Sequence, residues 1–246
     1  MTTTLRALAS AAALGLLMLA APAEAQFSTT NVQVLQGYGF DNVYAPALED
    51  DDITTLTVNQ FSAYKNGDSF FFADLTRNKD DVTGAYAEWH PRLFVNKLLG
   101  QKEPLFGIFK NYGPAFEANL GNDLYAYLAG VGVDFAVPKF NFLSLNVFYR
   151  YDKFANHQWQ ISPSWELPFT LGKVPFKFAG FVDVNGTKVD GEDELEVWAQ
   201  PQLLVDALAP FGGTPNTFYV GTEFYYHKLA DETAAVPQLM VQWTVF

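Results

Sequence analysis

Hydrophobic and polar residues alternate along most of this chain with a period of two. Between Phe142 and Asp152, leucine, valine and tyrosine occupy the odd positions, while Ser144, Asn146 and Arg150 occupy even ones. Similar alternation runs through 158–167 and 194–205. Runs of about ten alternating residues are longer than a typical soluble strand and suit a tilted strand that crosses a membrane. The pattern therefore predicts membrane-spanning β-strands.

Read in this way, the chain contains about twelve strands. Their predicted ranges are 29–39, 54–65, 69–76, 84–94, 105–117, 124–137, 142–152, 158–167, 174–184, 194–205, 216–227 and 236–246. The first, fifth and eleventh alternate poorly, so that ten or fourteen strands are alternatives. Backbone groups cannot face lipid unpaired, so the sheet must close on itself. The predicted fold is all-β, a transmembrane antiparallel β-barrel.

The first residues predict a cleaved signal peptide. An apolar run from Leu8 to Ala21 is followed by Ala23-Glu24-Ala25, which is a signal-peptidase type of site. The predicted division is a signal peptide at 1–25 and a barrel at 26–246. Together with the strand pattern, it indicates the outer membrane of a Gram-negative bacterium.

Composition supports a lipid-facing exterior. Aromatic residues make up 16% of the chain and charged residues only 17%. In a soluble β-sandwich, the alternative, the exposed strand faces would carry Leu, Val, Tyr and Trp instead of polar side chains. The net charge of −12 and the lack of a basic patch argue against nucleic acid as a partner.

Turn signals suggest an orientation. Short turns are expected at Asn66-Gly67, at 138–141 and at 169–172, and we assign them to the periplasm. The longer, acid-rich links 40–53, 76–83 and 184–193 are assigned to the cell surface. An even strand number places both termini in the periplasm.

A set of polar and aromatic side chains is expected to line the lumen. Asp74 must avoid lipid, so alternation also turns Phe70 and Phe72 inward. Inward phenylalanines either stack on a solute or fill a narrow barrel. The charged residues on the next strand either contact a solute or form a structural salt-bridge ladder. The predicted lumenal site comprises Phe70, Phe72, Asp74, Tyr86, Glu88, His90, Arg92, Asn146, Phe148, Arg150, Lys177, Phe181 and Asp183.

The sequence predicts neither a metal site nor a cofactor, and no enzymatic activity. The three histidines, His90, His157 and His227, show no metal-binding spacing. The acidic runs 49–52 and 190–194 lack the spacing of an EF-hand and are expected to be solvated loops. No serine is obviously placed beside a histidine, as a barrel lipase would require.

Several blocks of the sequence resemble the nucleoside-specific outer-membrane channels, the Tsx-type family. The most specific block is 87–98, Ala-Glu-Trp-His-Pro-Arg-Leu-Phe-Val-Asn-Lys-Leu, which looks like that family's acidic–x–x–Pro–Arg strand and Lys-Leu turn. Residues 68–74, 105–110 and 127–134 are similar to neighbouring strands of the family. The resemblance implies a narrow twelve-stranded barrel that passes nucleosides by diffusion. Compact outer loops and the final strand depart from the family pattern.

The resemblance and the lumenal pattern together predict a passive channel for nucleosides. A channel for other small solutes and a structural or adhesive barrel are the alternatives. The expected partners are nucleosides or similar solutes, outer-membrane lipids and the barrel-assembly machinery. That machinery is expected to recognise the aromatic C-terminal residue Phe246.

Overall fold

The structure is a computed structural model that describes residues 25–41, 51–78, 83–122, 124–154 and 157–245. These residues form thirteen strand segments in one antiparallel sheet, with very little helix. The strands are β1 (Phe27–Phe40), β2 (Asp51–Tyr64), β3 (Gly67–Asn78), β4 (Thr83–Leu93), β5 (Phe109–Gly121), β6 (Leu124–Phe135), β7 (Phe142–Asp152), β8 (Gln158–Leu171), β9 (Val174–Val189), β10 (Glu192–Ala199), β11 (Gln202–Asp206), β12 (Phe218–Leu229) and β13 (Glu232–Thr244). A short helix, α1, spans Val95–Leu98, and a 3₁₀ turn spans Ala209–Phe211.

The sheet closes into a barrel of twelve strands. β1 pairs with β13, where Leu35 lies opposite Met240. β10 and β11 both pair with β9 on one side and β12 on the other, in a single continuous register. They are two halves of one strand, interrupted at Pro201, which has no N–H to donate. The predicted closed barrel and its twelve strands are confirmed.

Strand alternation separates an inner face from an outer face. The outer face exposes large apolar side chains around the whole barrel, where a soluble protein would need polar ones. They include Val34, Leu56, Val58, Phe116, Val131, Val147, Ile161, Leu203, Phe224, Leu239 and Val241. An apolar exterior of this kind requires lipid as its surroundings.

Aromatic residues form a girdle near each end of this exterior. At one end, the rings of Tyr125 and Tyr127 lie 5.9 Å apart, and those of Tyr125 and Tyr151 lie 6.4 Å apart. At the other end, Phe169 stacks on Phe176 at 5.4 Å. Tyrosine, tryptophan and phenylalanine collect at the two membrane interfaces of such barrels. The chain is thus an outer-membrane β-barrel.

The connections differ in length at the two ends. The end that carries residues 25 and 245 is called the terminus end, and the opposite one the loop end. Two connections at the terminus end are long: 94–108, which contains α1, and 207–217, which contains the 3₁₀ turn. At the loop end, β5 and β6 are joined by residues 122–123 alone, and β9 and β10 by 190–191.

Three predicted boundaries were wrong. The long loop expected at 184–193 is a turn at Asp190-Gly191, because β9 and β10 continue as a paired ladder from Val184 to Val189. The fifth strand begins at Phe109 and not at residue 105, since α1 and a tight turn precede it. The expected turn at Asn66-Gly67 is formed by Lys65 and Asn66, and Gly67 already pairs with Tyr64.

Gly67 is required for a different reason than turn geometry. A Cβ atom at this position would lie 2.1 Å from the carbonyl oxygen of Arg92 on the neighbouring strand. Only glycine therefore allows β3 and β4 to approach each other here.

Some predictions fall on residues outside the described ranges. They concern the signal peptide, apart from its last residue Ala25, most of the link 40–53, half of the link 76–83, and the terminal Phe246. Among the described helices, none has the length and apolar character needed to cross a membrane.

Candidate functional site: the inner wall of the barrel

All thirteen residues of the predicted lumenal site lie on the inner face. The pairing of β3 with β4 sets Asp74 opposite Tyr86, Phe72 opposite Glu88 and Phe70 opposite His90. Further round the barrel, the inner face of β7 carries Asn146, Phe148 and Arg150, and that of β9 carries Lys177, Phe181 and Asp183. The structure therefore gathers these side chains around one interior, although they come from four strands.

An aromatic wall, made of Phe70, Phe72, Tyr86 and His90, covers the inner face of β3 and β4. The ring of Phe70 lies 6.0 Å from that of Phe72 and 5.8 Å from that of His90. The rings of Phe72 and Tyr86 are 5.9 Å apart. Phe70 and Phe72 remain partly accessible from inside the barrel. Both side chains are therefore partly available to a solute.

A cluster of Glu88, His90 and Glu117, called the Glu–His–Glu cluster, adjoins the aromatic wall. His90 Nε2 lies 2.7 Å from Glu88 Oε2, and its Nδ1 lies 3.2 Å from Glu117 Oε2. The Tyr86 hydroxyl donates to the other oxygen of Glu88, and Asn119 Nδ2 donates to the other oxygen of Glu117 at 2.9 Å. All polar atoms of the three side chains thus have partners, which fixes the cluster in position.

Arg92 forms a clamp nearer the terminus end. Its Nε and Nη2 donate to the two oxygens of Asp68 at 2.8 and 2.6 Å, and its Nη1 donates to Asp134 at 2.8 Å. Asp134 also accepts hydrogen bonds from Asn111 and Ser144. These contacts join β3, β4, β6 and β7, as expected for a structural salt-bridge ladder, and leave little of the guanidinium for a solute.

The facing wall on β7 to β9 is polar and more tightly packed. Arg150 donates to Asp152 at 2.7 Å and to Gln160 at 2.6 Å. Phe148 is only 3% exposed and packs against Ala115, Ala126 and Leu128. Phe148 therefore fills the wall, whereas Phe70 and Phe72 line the space.

A second packed patch lies on the inner face at β1, β11, β12 and β13. Leu35, Leu204, Tyr219 and Met240 form an apolar cluster there. Lys177 reaches this patch, with its ammonium 4.5 Å from the Tyr219 ring centre and 3.6 Å from Glu166. Apolar side chains thus fill the inner face on this side of the barrel.

The inner face carries many more carboxylates than cations. Within the described strands, the inward bases are Arg92, Arg150 and Lys177, besides two histidines. The inward acids are Asp68, Asp74, Glu88, Glu117, Asp134, Asp152, Glu166, Asp183, Glu194, Glu196, Asp206 and Glu223. This excess makes the interior negative.

Three of these acids are held by neutral groups. Asp74 accepts from Thr57, Asp183 from Ser162, and Glu223 from Gln202 and Gln238. Among the described residues, none of the three forms an ion pair with a base. The hydrogen bonds of these three acids are thus made to hydroxyl and amide groups and not to cations.

Sequence reasoning missed the partners on β5. Glu117 and Asn119 complete the network around His90, yet the fifth strand is one of the three that alternate poorly, and Asn119 lies beyond its predicted end at residue 117. A bulge between Phe109 and Asn111 shifts the register there. If the start of this strand had been placed at Phe109, the alternation of Ala115, Glu117 and Asn119 would have predicted that all three side chains point inward.

One protein family matches most of the chain, and the similar solved structures share little of its sequence. The family described as "Domain of unknown function (DUF5020)" matches residues 29–245. No curated protein matches the chain.

Solved structures with a similar course of the chain include the KdgM porin, with 8% identity, 89% of this chain and 100% of that one covered, and a TM-score of 0.47. The translocator domain of the autotransporter NalP from Neisseria meningitidis has 12% identity, 96% of each chain covered and a TM-score of 0.48. The COG4313 outer membrane channel from Pseudomonas putida F1 has 6% identity, 90% and 97% covered, and a TM-score of 0.43.

Proposed function

The chain belongs to the DUF5020 family, a domain of unknown function, and we propose that it is a passive outer-membrane channel for small solutes, with nucleosides as the solute class. We propose no enzymatic activity for the chain. It rests on the geometry of the inner wall, and the resemblance of the sequence to Tsx-type channels supports the choice of nucleosides.

The observation that carries the proposal is the aromatic wall beside acidic groups within a closed barrel. Phe70 and Phe72 lie partly accessible on the inner face, and Phe72 pairs across the strands with Glu88. A nucleobase stacks on aromatic rings with about 1–3 kcal/mol per base. Ribose hydroxyls donate to carboxylates. Both halves of a nucleoside thus have a matching surface.

The charge of the interior restricts the solutes. Carboxylates dominate the inner face, and the cations Arg92 and Arg150 are already bound to aspartates. A phosphate group would meet repulsion without a free guanidinium to bind it. Neutral or cationic solutes are therefore favoured, and nucleosides should pass in preference to nucleotides.

Two residues predicted to contact the solute are instead proposed to have structural roles. Arg92 holds Asp68 and Asp134 together, and Phe148 packs within the wall. The groups proposed to bind nucleoside are Phe70, Phe72, Tyr86, Glu88 and Asp183. Each contact is modest, as a channel requires, because a solute that binds tightly does not leave.

The test is nucleoside block of ion current through the Phe72→Ala channel in a planar bilayer. Loss of the ring should weaken block about five- to hundred-fold, corresponding to stacking of roughly 1–3 kcal/mol. The ion conductance should hold or rise, because the lumen widens.

Phe224→Ala is the matched control, since Phe224 faces lipid and is 40% exposed. Its block should equal that of the wild type. Equal nucleoside affinity in Phe72→Ala and wild type would exclude stacking on this wall and favour a channel for other small solutes.

A sealed structural or adhesive barrel is the second candidate. The packed inner patch of Leu35, Leu204, Tyr219 and Met240 favours it, because apolar side chains there exclude water from part of the interior. A sealed barrel would conduct no ions.

A further inference from the structure

The Glu–His–Glu cluster has the arrangement of a metal-binding site. One ligand atom from each of Glu88, His90 and Glu117 can be chosen so that all three lie within 4.8 Å of one another. We propose that this cluster binds a divalent transition-metal cation such as Zn²⁺, through one ring nitrogen of His90 and one oxygen of each glutamate.

The two carboxylates are already oriented by neighbouring groups. The Tyr86 hydroxyl holds Glu88 Oε1, and Asn119 Nδ2 holds Glu117 Oε1. In each glutamate the second oxygen, Oε2, is thereby directed towards the imidazole. Hydrogen bonds of this kind, made to the ligands from behind, position the ligands in protein metal sites.

A buried acceptor beside the cluster is left without a partner. Asn119 is 3% exposed, and its Oδ1 accepts no hydrogen bond among the described residues. Asn119 pairs with Glu88 across β4 and β5 and contacts Glu117, so that its amide lies next to both carboxylates. An unsatisfied buried oxygen is costly unless a cation or water meets it. A cation bound between Glu88 and Glu117 would offer this oxygen a partner.

The local charge also favours a bound cation. Glu88 and Glu117 bring two carboxylates to the single imidazole of His90. Arg150 lies nearby, but Asp152 already pairs with it. A divalent ion would neutralise the carboxylates of Glu88 and Glu117.

The mixture of nitrogen and oxygen donors selects the metal class. Ca²⁺ and Mg²⁺ prefer sites made of oxygen alone, whereas imidazole suits Zn²⁺ and its neighbours in the first row. Zinc bound at 2.0–2.2 Å holds its ligand atoms about 3.4 Å apart. The three candidate ligand atoms already lie within 4.8 Å of one another. The ring nitrogen that binds the metal would exchange its contact with one glutamate, 2.7 Å at Nε2 or 3.2 Å at Nδ1, for the metal ion.

The proposed metal site shares Glu88 with the proposed nucleoside site, but its ligands are in place whether or not the barrel conducts. It is therefore tested by binding alone. The purified, folded chain in detergent is titrated with Zn²⁺ against a chromophoric chelator, and heat-modifiable migration confirms that each variant is folded. Wild type should bind one Zn²⁺ per barrel, and an excess of Mg²⁺ or Ca²⁺ should not displace it.

Glu117→Gln and His90→Ala should each weaken Zn²⁺ binding at least about tenfold. Glu117→Gln is nearly isosteric and therefore serves if His90→Ala fails to fold. His157→Ala is the matched control, since this histidine contacts Tyr149 outside the cluster, and it should leave the affinity unchanged. Absence of Zn²⁺ binding in wild type, displacement by Ca²⁺, or binding that survives both cluster variants would overturn the proposal.

Discussion

Arg92 determines the stability of the inner wall at the level of a single residue. It carries the positive charge between Asp68 and Asp134, and the side chains of all three are largely buried. Removing one partner from a buried ion pair leaves an uncompensated charge, which is more costly than the pair itself is favourable.

Arg92→Ala should lower the free energy of unfolding by about 3–5 kcal/mol, because two buried aspartates lose their cation. The free energy of unfolding of Arg92→Lys should lie between those of wild type and Arg92→Ala, since a lysine keeps the charge but not the two-pronged geometry. The measurement is the urea midpoint of the folded fraction in lipid vesicles. Lys65→Ala, at an exposed turn position, is the control and should shift the free energy by less than about 0.5 kcal/mol. If Arg92→Ala and Lys65→Ala had equal urea midpoints, the contacts of Arg92 would not stabilise the barrel.

Individual inward positions could be predicted from the sequence because a strand has a period of two. Asp74 gives one inward position, and Phe70 and Phe72 follow by counting along β3. The partners on other strands could not be predicted, because a contact such as His90 with Glu117 depends on register. A bulge of one residue changes every contact beyond it.

At the level of elements, strand length and pairing matter more than the loops. The strand predicted at 142–152 coincides with β7, because Asn141 and Lys153 bound an uninterrupted alternation. Residues 184–189 were assigned to a loop because their polar composition resembles one. In the structure their backbone groups pair with β10, and a ladder of this kind tolerates polar side chains above the membrane.

The two ends of the barrel should differ in accessibility from outside the cell. A peptide tag inserted at Gly191, in the β9–β10 turn at the loop end, should be labelled on intact cells. A tag between Lys65 and Asn66, at the terminus end, should be labelled only after the outer membrane is permeabilised. Antibody labelling of both tagged chains, with folding confirmed by heat-modifiable migration, measures this. Labelling of Lys65–Asn66 alone on intact cells would mean that the orientation is inverted.

At the level of the whole molecule, closure and charge act together. Pairing of β1 with β13 leaves no open edge for lipid to meet, so that every strand places half of its side chains inside. The inside is narrow, acidic and aromatic on one wall. Asp74, Asp183 and Glu223 have no basic partner among the described residues, and we expect the excess of inward acids to favour cations over anions.

The most direct test of a narrow acidic channel is a planar-bilayer recording of the wild-type barrel across a potassium chloride gradient. We expect discrete conductance steps and a reversal potential of the sign that K⁺ permeation gives. Neutralising Asp74 and Glu223 together, by Asp74→Asn and Glu223→Gln, should move the reversal potential towards zero. Asp231→Asn, in an exposed turn, should not move it. A folded wild-type barrel that shows no conductance steps, or a reversal potential of the sign for Cl⁻, would contradict the channel proposed here.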